Sequence, residues 1–137
     1  GNQIGTGKES DVYVVANDEG EQLCLKIHRI GRTSSRGLVT KRDYLQGYHH
    51  VSWIYLSRVA AYREFCFLKT MAEQGIPVPS PVDHNRHCVL MQLIEAFPLN
   101  HIKRLDNPSE LFNRLVDLIA RLASLGYVHG DFNEFNL

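Results

Sequence analysis

The chain has 137 residues, enough for about one domain with a modest single core. Apolar content of 44% and charged content of 22% are those of an ordinary globular protein. Fifteen basic residues balance fifteen acidic ones, so no overall field draws the chain to nucleic acid or membrane, and no apolar run reaches the ~18 residues a bilayer-spanning helix needs.

The three cysteines, Cys24, Cys66 and Cys88, form no CxxC, and their odd number argues against a disulfide framework, which favours a reducing compartment. The balanced charge conceals one local bias. From Lys26 to Arg42 there are six Lys/Arg and no acid.

In chain order, "VYVV" (Val12–Val15) and "QLCLKIH" (Gln22–His28) are β-rich and flank the turn formers Asn17, Asp18 and Gly20, which predicts a hairpin. Residues 29–50 are rich in Gly, Ser, Arg and His without sustained periodicity and read as a long, flexible insertion loop. A helix is expected from about Ser52, with Ser57, Ala61, Leu68 and Met71 on one face and Gly75 just past its end. Pro77, Pro79 and Pro81 forbid its continuation. "VDHNRHCVLMQLI" predicts two strands with a turn near His84–Asn85. Asn107-Pro108-Ser109-Glu110 has the order of a helix N-terminus, followed by Leu111, Leu115, Leu118, Leu122 and Leu125 at helical spacing and by Gly126. A polar loop, "YVHGDFNEFNL", follows, whose Phe132 and Phe135 are expected to anchor it.

Three places in this layout carry chemistry. "IGTGKESDVYVV" sets Gly5 and Gly7 between a short strand and the first clear one, where glycine lets backbone N–H groups approach an anion. It is no Walker A loop, because Glu9 follows Lys8 where Ser or Thr is needed, and no Rossmann turn, because a hairpin and not a helix follows. The kinase pattern G-x-G-x-x-G-x-V fits with Ser10 in the third glycine position and Val12 two residues on. An ordinary tight turn also accommodates such a pair.

Strand alternation sends Cys24, Lys26 and His28 to one face and Leu23, Leu25 and Ile27 to the other. Lys26 could be a solvated surface lysine on that evidence alone. Glu64 argues otherwise, since helical spacing puts its carboxylate on the apolar face with Ala61, Leu68 and Met71, where an unpaired charge costs several kcal/mol. Lys26 is its expected partner. A strand lysine held by a helix glutamate is the arrangement by which protein kinases grip the α/β-phosphates, and a purely structural ion pair is the alternative.

In "HGDFNEFN" Asp131 precedes Asn136 by five positions, as in H-R-D-x-x-x-x-N. A carboxylate there can take or orient a hydroxyl proton and an amide oxygen can help hold Mg²⁺, while a simple Asx turn is the bland reading. His129 is expected to pack and hydrogen-bond. His84, His87 and Cys88 lack a further ligand pair at zinc spacing and read as a polar turn.

With these residues in view, the chain resembles the RIO atypical protein kinases, and among them the eukaryotic RIO-two subfamily, through "GKESDVY", "LKIHRIGRTS", "KRDY", "VSWIYLSR", "REF", "PVP" and "HGDFNEFNL". The resemblance runs over essentially the whole chain. It implies an α+β, protein-kinase-like fold: a small antiparallel N-lobe sheet with its helix and the hinge over residues 1–94, then the start of a helical C-lobe over 95–137. It implies ATP and Mg²⁺ as cofactors. Gly5, Gly7, Lys8 and Ser10 would form the phosphate loop, Lys26 paired with Glu64 would hold the α/β-phosphates, and Met91 would be the gatekeeper. The backbones of Gln92 and Ile94 would meet adenine, Asp131 would be the catalytic aspartate, and Asn136 a Mg²⁺ ligand.

The resemblance further implies a serine/threonine protein kinase or ATPase acting in the cytoplasm on the precursor small ribosomal subunit, with ribosomal RNA and assembly factors as partners. It also implies that this chain is a piece of a longer protein. An N-terminal winged helix and the rest of the C-lobe, with a second metal-binding aspartate, lie outside it, so the piece alone is expected to be inactive. The long stretch between Lys26 and Glu64 matches the family's phosphorylatable loop, in which Ser34 is the favoured site among Thr33, Ser34 and Ser35. The rival readings are a ribosome-assembly module with structural ATP and a small-molecule kinase of the aminoglycoside or choline type.

Overall fold

A computed structural model describes residues 1–31 and 52–137. These fall into two compact units, Gly1–Ile94 and Glu95–Leu137.

The first unit is an antiparallel five-stranded sheet crossed by one helix. Its strands are β1 (Asn2–Thr6), β2 (Ser10–Ala16), β3 (Gln22–His28), β4 (Pro81–Asn85) and β5 (Cys88–Gln92), in the spatial order β1-β2-β3-β5-β4. The turn between β2 and β3 is built by Asn17, whose Oδ1 accepts the N–H groups of Glu19 at 3.1 Å and Glu21 at 2.8 Å. The β4–β5 turn lies at Arg86–His87, two residues later than expected. Arg86 itself takes up the left-handed conformation at φ 52°. Asn85, expected in the turn, instead pairs with Cys88 as the last residue of β4.

Helix α1 (Trp53–Glu73) lies across β3, β5 and β4. Ser57, Ala61, Leu68 and Met71 are buried, as their spacing requires, together with Leu56. The core joins Ala61 and Leu68 to Val89 and Met91 of β5, with Cys24, Phe65 and Val78 packed around them. The helix-facing side of β3 is therefore Cys24, Lys26 and His28, a polar triplet, while Leu23, Leu25 and Ile27 take the opposite face, half-buried. β3 ends at His28, and of the insertion loop expected over 29–50 the residues from 32 on lie outside the described ones. Ile30 is buried and its N–H donates to Ser57 Oγ at 3.0 Å, which ties the exit of β3 to α1.

Gly75 and Gly126 end the two long helices in the same way. In α1 the Gly75 N–H donates to Ala72 O and the Ile76 N–H to Met71 O, at 3.0 Å each. In α2 (Pro108–Ser124) the Gly126 and Tyr127 N–H groups donate to Ala123 O and Leu122 O, at 2.9 Å each. The crossed bonds need a left-handed residue between them, and the glycines supply φ of 67° and 84°.

In the second unit Asn107 caps α2, its Oδ1 accepting the Glu110 N–H at 3.2 Å, with Pro108 in the first turn. Leu111, Leu115 and Leu118 are half-buried and Leu122 is buried, whereas Leu125, the cap residue, leaves the expected stripe. A 3-10 turn at Leu99–His101 joins the terminal loop through Leu99 N–H to Leu137 O at 2.7 Å and Asn100 N–H to Glu134 O at 3.0 Å. No helix among the described residues is long and apolar enough to cross a membrane.

Candidate active site

Lys26 and Glu64 meet. The Lys26 Nζ donates to Glu64 Oε1 at 2.7 Å, with side chains 27% and 25% exposed, so the pair is enclosed without being sealed from solvent. Strand register places Lys26 opposite Val12 of β2 on one side and Val89 of β5 on the other, and places Gly5 of β1 opposite Val12. Cross-strand partners share a face. The ammonium group therefore lies on the face that begins at the glycine strand and runs under α1.

Sequence spacing did not single out the second partner of the carboxylate. His28 Nε2 lies 2.6 Å from Glu64 Oε2. Burial acts to raise the carboxyl's pKa, but the hydrogen bond from His28, and then the charge and hydrogen bond of Lys26, outweigh it and hold Glu64 below the usual carboxylate value. Burial also pushes the neighbouring Cys24 thiol up.

Of the two loop glycines only Gly7 lies in a turn. Gly5 is inside β1, at a register shift between Gln3 and Gly5. The Gly7 N–H donates to Ser10 O at 2.7 Å, closing the turn around Lys8 and Glu9, and Lys8 is exposed. This turn is anchored to the end of β3. The Arg29 N–H donates to Glu9 O at 2.6 Å, and the Arg29 guanidinium meets the fully buried Asp11 carboxylate at 3.2 Å. At the other end of the unit Met91 is buried in the core opposite Cys24. The Gln92 N–H donates to Ser80 O at 2.8 Å, and Ile94 is 55% exposed. Ser34 lies outside the described residues.

The second unit brings Asp131 and Asn136 together. Asn136 Nδ2 donates to Asp131 Oδ2 and to the Asp131 backbone oxygen, both at 2.8 Å. Asn133, which the sequence reading passed over, donates Nδ2 to Asp131 Oδ1 at 2.8 Å. Two amides thus hold the two carboxylate oxygens. Asn133 also accepts the Phe135 N–H on Oδ1 at 3.0 Å, and its backbone oxygen accepts the Asn136 N–H at 3.0 Å. His129 Nδ1 accepts the Asp131 N–H at 3.3 Å, and its ring meets Phe132 edge-on at 5.4 Å. Gly130 has φ 75° with nothing near the site of a Cβ, so backbone conformation alone selects glycine there. Phe132 is half-buried and Phe135 is 65% exposed. His84, on β4, stacks on Phe65 at 5.1 Å.

The chain is similar to known proteins along its length. It is 54% identical to the serine/threonine-protein kinase rio2 of Schizosaccharomyces pombe and 51% identical to that of Dictyostelium discoideum, each over all of this chain. It covers 40% of the first protein and 26% of the second, so it spans well under half of their length. Among solved structures, the Rio2 kinase–ADP/Mg²⁺–phosphoaspartate complex of Chaetomium thermophilum matches 99% of this chain and 40% of that one, with a TM-score of 0.84 and 49% identity. The fold is accordingly protein-kinase-like. The RIO domain family itself matches residues 11–137. By that match, covering nearly all of its sequence, the chain belongs to the RIO domain family.

Proposed function

We propose that the protein of which this sequence is part is a RIO-type ATP-dependent phosphotransferase, a serine/threonine protein kinase or ATPase that uses Mg²⁺. The observation that carries the reading is the Lys26–Glu64 pair at 2.7 Å on the sheet face shared with the glycine strand. A lysine held by a carboxylate keeps its other two N–H donors for an anion. The named relatives are serine/threonine kinases, and a solved neighbour is a complex with ADP and Mg²⁺.

The chain's own groups suit these cofactors. Lys26 would take phosphate oxygens, and Gly7 and Lys8 would line the phosphates. Gln92 and Ile94 would offer backbone groups to adenine behind the Met91 side chain. Asn136 spends its Nδ2 on Asp131, which leaves the amide Oδ1 as the oxygen donor that Mg²⁺ prefers. Bound Mg²⁺ would neutralise charge developing on the phosphates. Asp131, fixed by two amide donors and exposed, would accept or orient the proton of the attacking hydroxyl or water. On the family's pattern, the substrate setting is the cytoplasmic precursor of the small ribosomal subunit, and Ser34 is the phosphosite in the basic loop.

The test compares Asp131→Ala and Lys26→Ala in the full-length protein, reading MgATP binding and turnover separately. Asp131→Ala should bind nucleotide and lose about 10²–10⁴-fold in turnover, whereas Lys26→Ala should weaken both. Association with precursor small subunits that survives Asp131→Ala and is lost in Lys26→Ala would leave a module with structural ATP as the better description. Co-sedimentation with precursor small subunits, with and without MgATP, tests the ribosomal setting.

A further inference from the structure

Lys26 accounts for only one of the two Glu64 oxygens. The other faces His28, which follows Lys26 by two residues on β3 and so shares its face. The imidazole is the most enclosed of the three groups, its side chain 10% exposed against 27% for Lys26 and 25% for Glu64. Its backbone is held as well, the His28 N–H donating to His87 O at 2.8 Å.

We propose that His28 is a positioning residue for the phosphate-binding lysine. Its Nε2–H, donated to Glu64 Oε2, fixes the carboxylate in the orientation that presents Oε1 to Lys26. The proposal rests on the reading of Lys26 as a nucleotide-binding group.

The last torsion of a glutamate is broad, so a carboxylate gripped by one flexible lysine turns easily. Two donors on adjacent same-face positions of a strand define its plane. The second donor matters most when nucleotide is bound. A lysine shared with phosphate oxygens holds its glutamate less completely, and a half-buried carboxylate then needs another partner to stay ionised.

Among the described residues, the groups around Glu64 leave this task to His28. From β3 come Lys26, His28 and the Cys24 thiol, which is a weak donor. Across from Lys26 and His28, β2 presents Val12 and Ser10, and β5 presents Val89 across from Lys26. His84 of β4 is stacked against Phe65 and Tyr62. On α1 itself Ala61 and Leu68 are apolar core residues. The His28 hydrogen bond is also the foremost influence opposing burial at Glu64, so its loss should let the carboxylate protonate at higher pH.

The experiment follows kcat/KM for MgATP against pH in the full-length protein, for wild type, His28→Phe and His28→Gln. Phenylalanine keeps the bulk without a donor, and glutamine keeps an N–H donor without the ring. In His28→Phe the acid limb should move up by about one pH unit, with about a tenfold loss at neutral pH. His28→Gln should stay within about threefold of wild type with the limb in place. A merely structural histidine would shift thermal stability and leave the acid limb alone, so an unmoved limb in His28→Phe overturns the proposal. So does a His28→Gln enzyme as impaired as His28→Phe. Should His28→Phe fail to fold, His28→Leu takes its place as the variant without a donor, a limb moved up upholding the role and an unmoved one ending it. Wild type that neither binds nor turns over MgATP is a separate result and removes the functional reading first.

Discussion

At the scale of single residues the informative groups were those whose chemistry forbids a bland location. Glu64 on an apolar helix face demanded a partner, and strand alternation offered Lys26. His28 shares that face, yet no rule of spacing says that one carboxylate will be held at both oxygens, and only the geometry shows it. Asn133 escaped notice for a similar reason, since its amide acts two residues back on Asp131 inside a loop with no period. The Glu64 network has a pH signature. Its folded pKa lies below the ordinary value of 4.5, so the group stabilises the fold above that value and loses the contribution as pH falls through the lower, folded one. Chemical denaturation between pH 3 and 7 should therefore show wild-type stability falling below about pH 4.5. In Glu64→Gln that part of the acid dependence should disappear, and stability at neutral pH should be lower by about 1–3 kcal/mol. An acid limb unchanged in Glu64→Gln would mean that other carboxylates carry it.

Among elements, those with end signals as well as a period were read most accurately. Asn107, Pro108 and Glu110 placed the start of α2, and Gly75 and Gly126 placed both helix ends, because capping is local chemistry written in adjacent residues. The β4–β5 turn was misplaced because Arg86, a residue with no turn preference, adopts the left-handed conformation under the pairing of Asn85 with Cys88. The first glycine was misread as loop because nothing local distinguishes a strand glycine at a bulge from a turn glycine. Two substitutions measure the helix ends. Asn107→Ala removes a side-chain acceptor from the Glu110 N–H and should cost about 1 kcal/mol. Gly126→Ala puts a Cβ where no atom crowds it, so its cost, about 1–2 kcal/mol, is that of a left-handed alanine alone. Thermal melts of the full-length protein check both, and a Gly126→Ala variant as stable as wild type would mean that the helix end rearranges without penalty.

For the molecule as a whole, the sequence showed the order of strands and helices and the residue types of the site, but not how the sheet interleaves. The spatial order β1-β2-β3-β5-β4 places β5 between β3 and β4, which sets Val89 and Met91 beside Lys26 and Cys24. That adjacency comes from long-range pairing, which no window of sequence contains. Lys26 is the proposed phosphate contact and Asn136 the proposed metal contact, so the whole protein's response to ligand should depend on metal as well as on nucleotide. Saturating MgATP should raise thermal stability, by about 2.7 kcal/mol at a hundredfold excess over the dissociation constant. Chelating the metal should remove most of that gain in wild type, because ATP without Mg²⁺ brings uncompensated charge to the site. In Asn136→Ala the gain with Mg²⁺ should already be small, and chelation should change little further. Lys26→Ala should lower the gain with and without metal. If Asn136→Ala instead responds to Mg²⁺ as fully as wild type, the metal is held by other groups, and the amide that braces Asp131 has a purely orienting role.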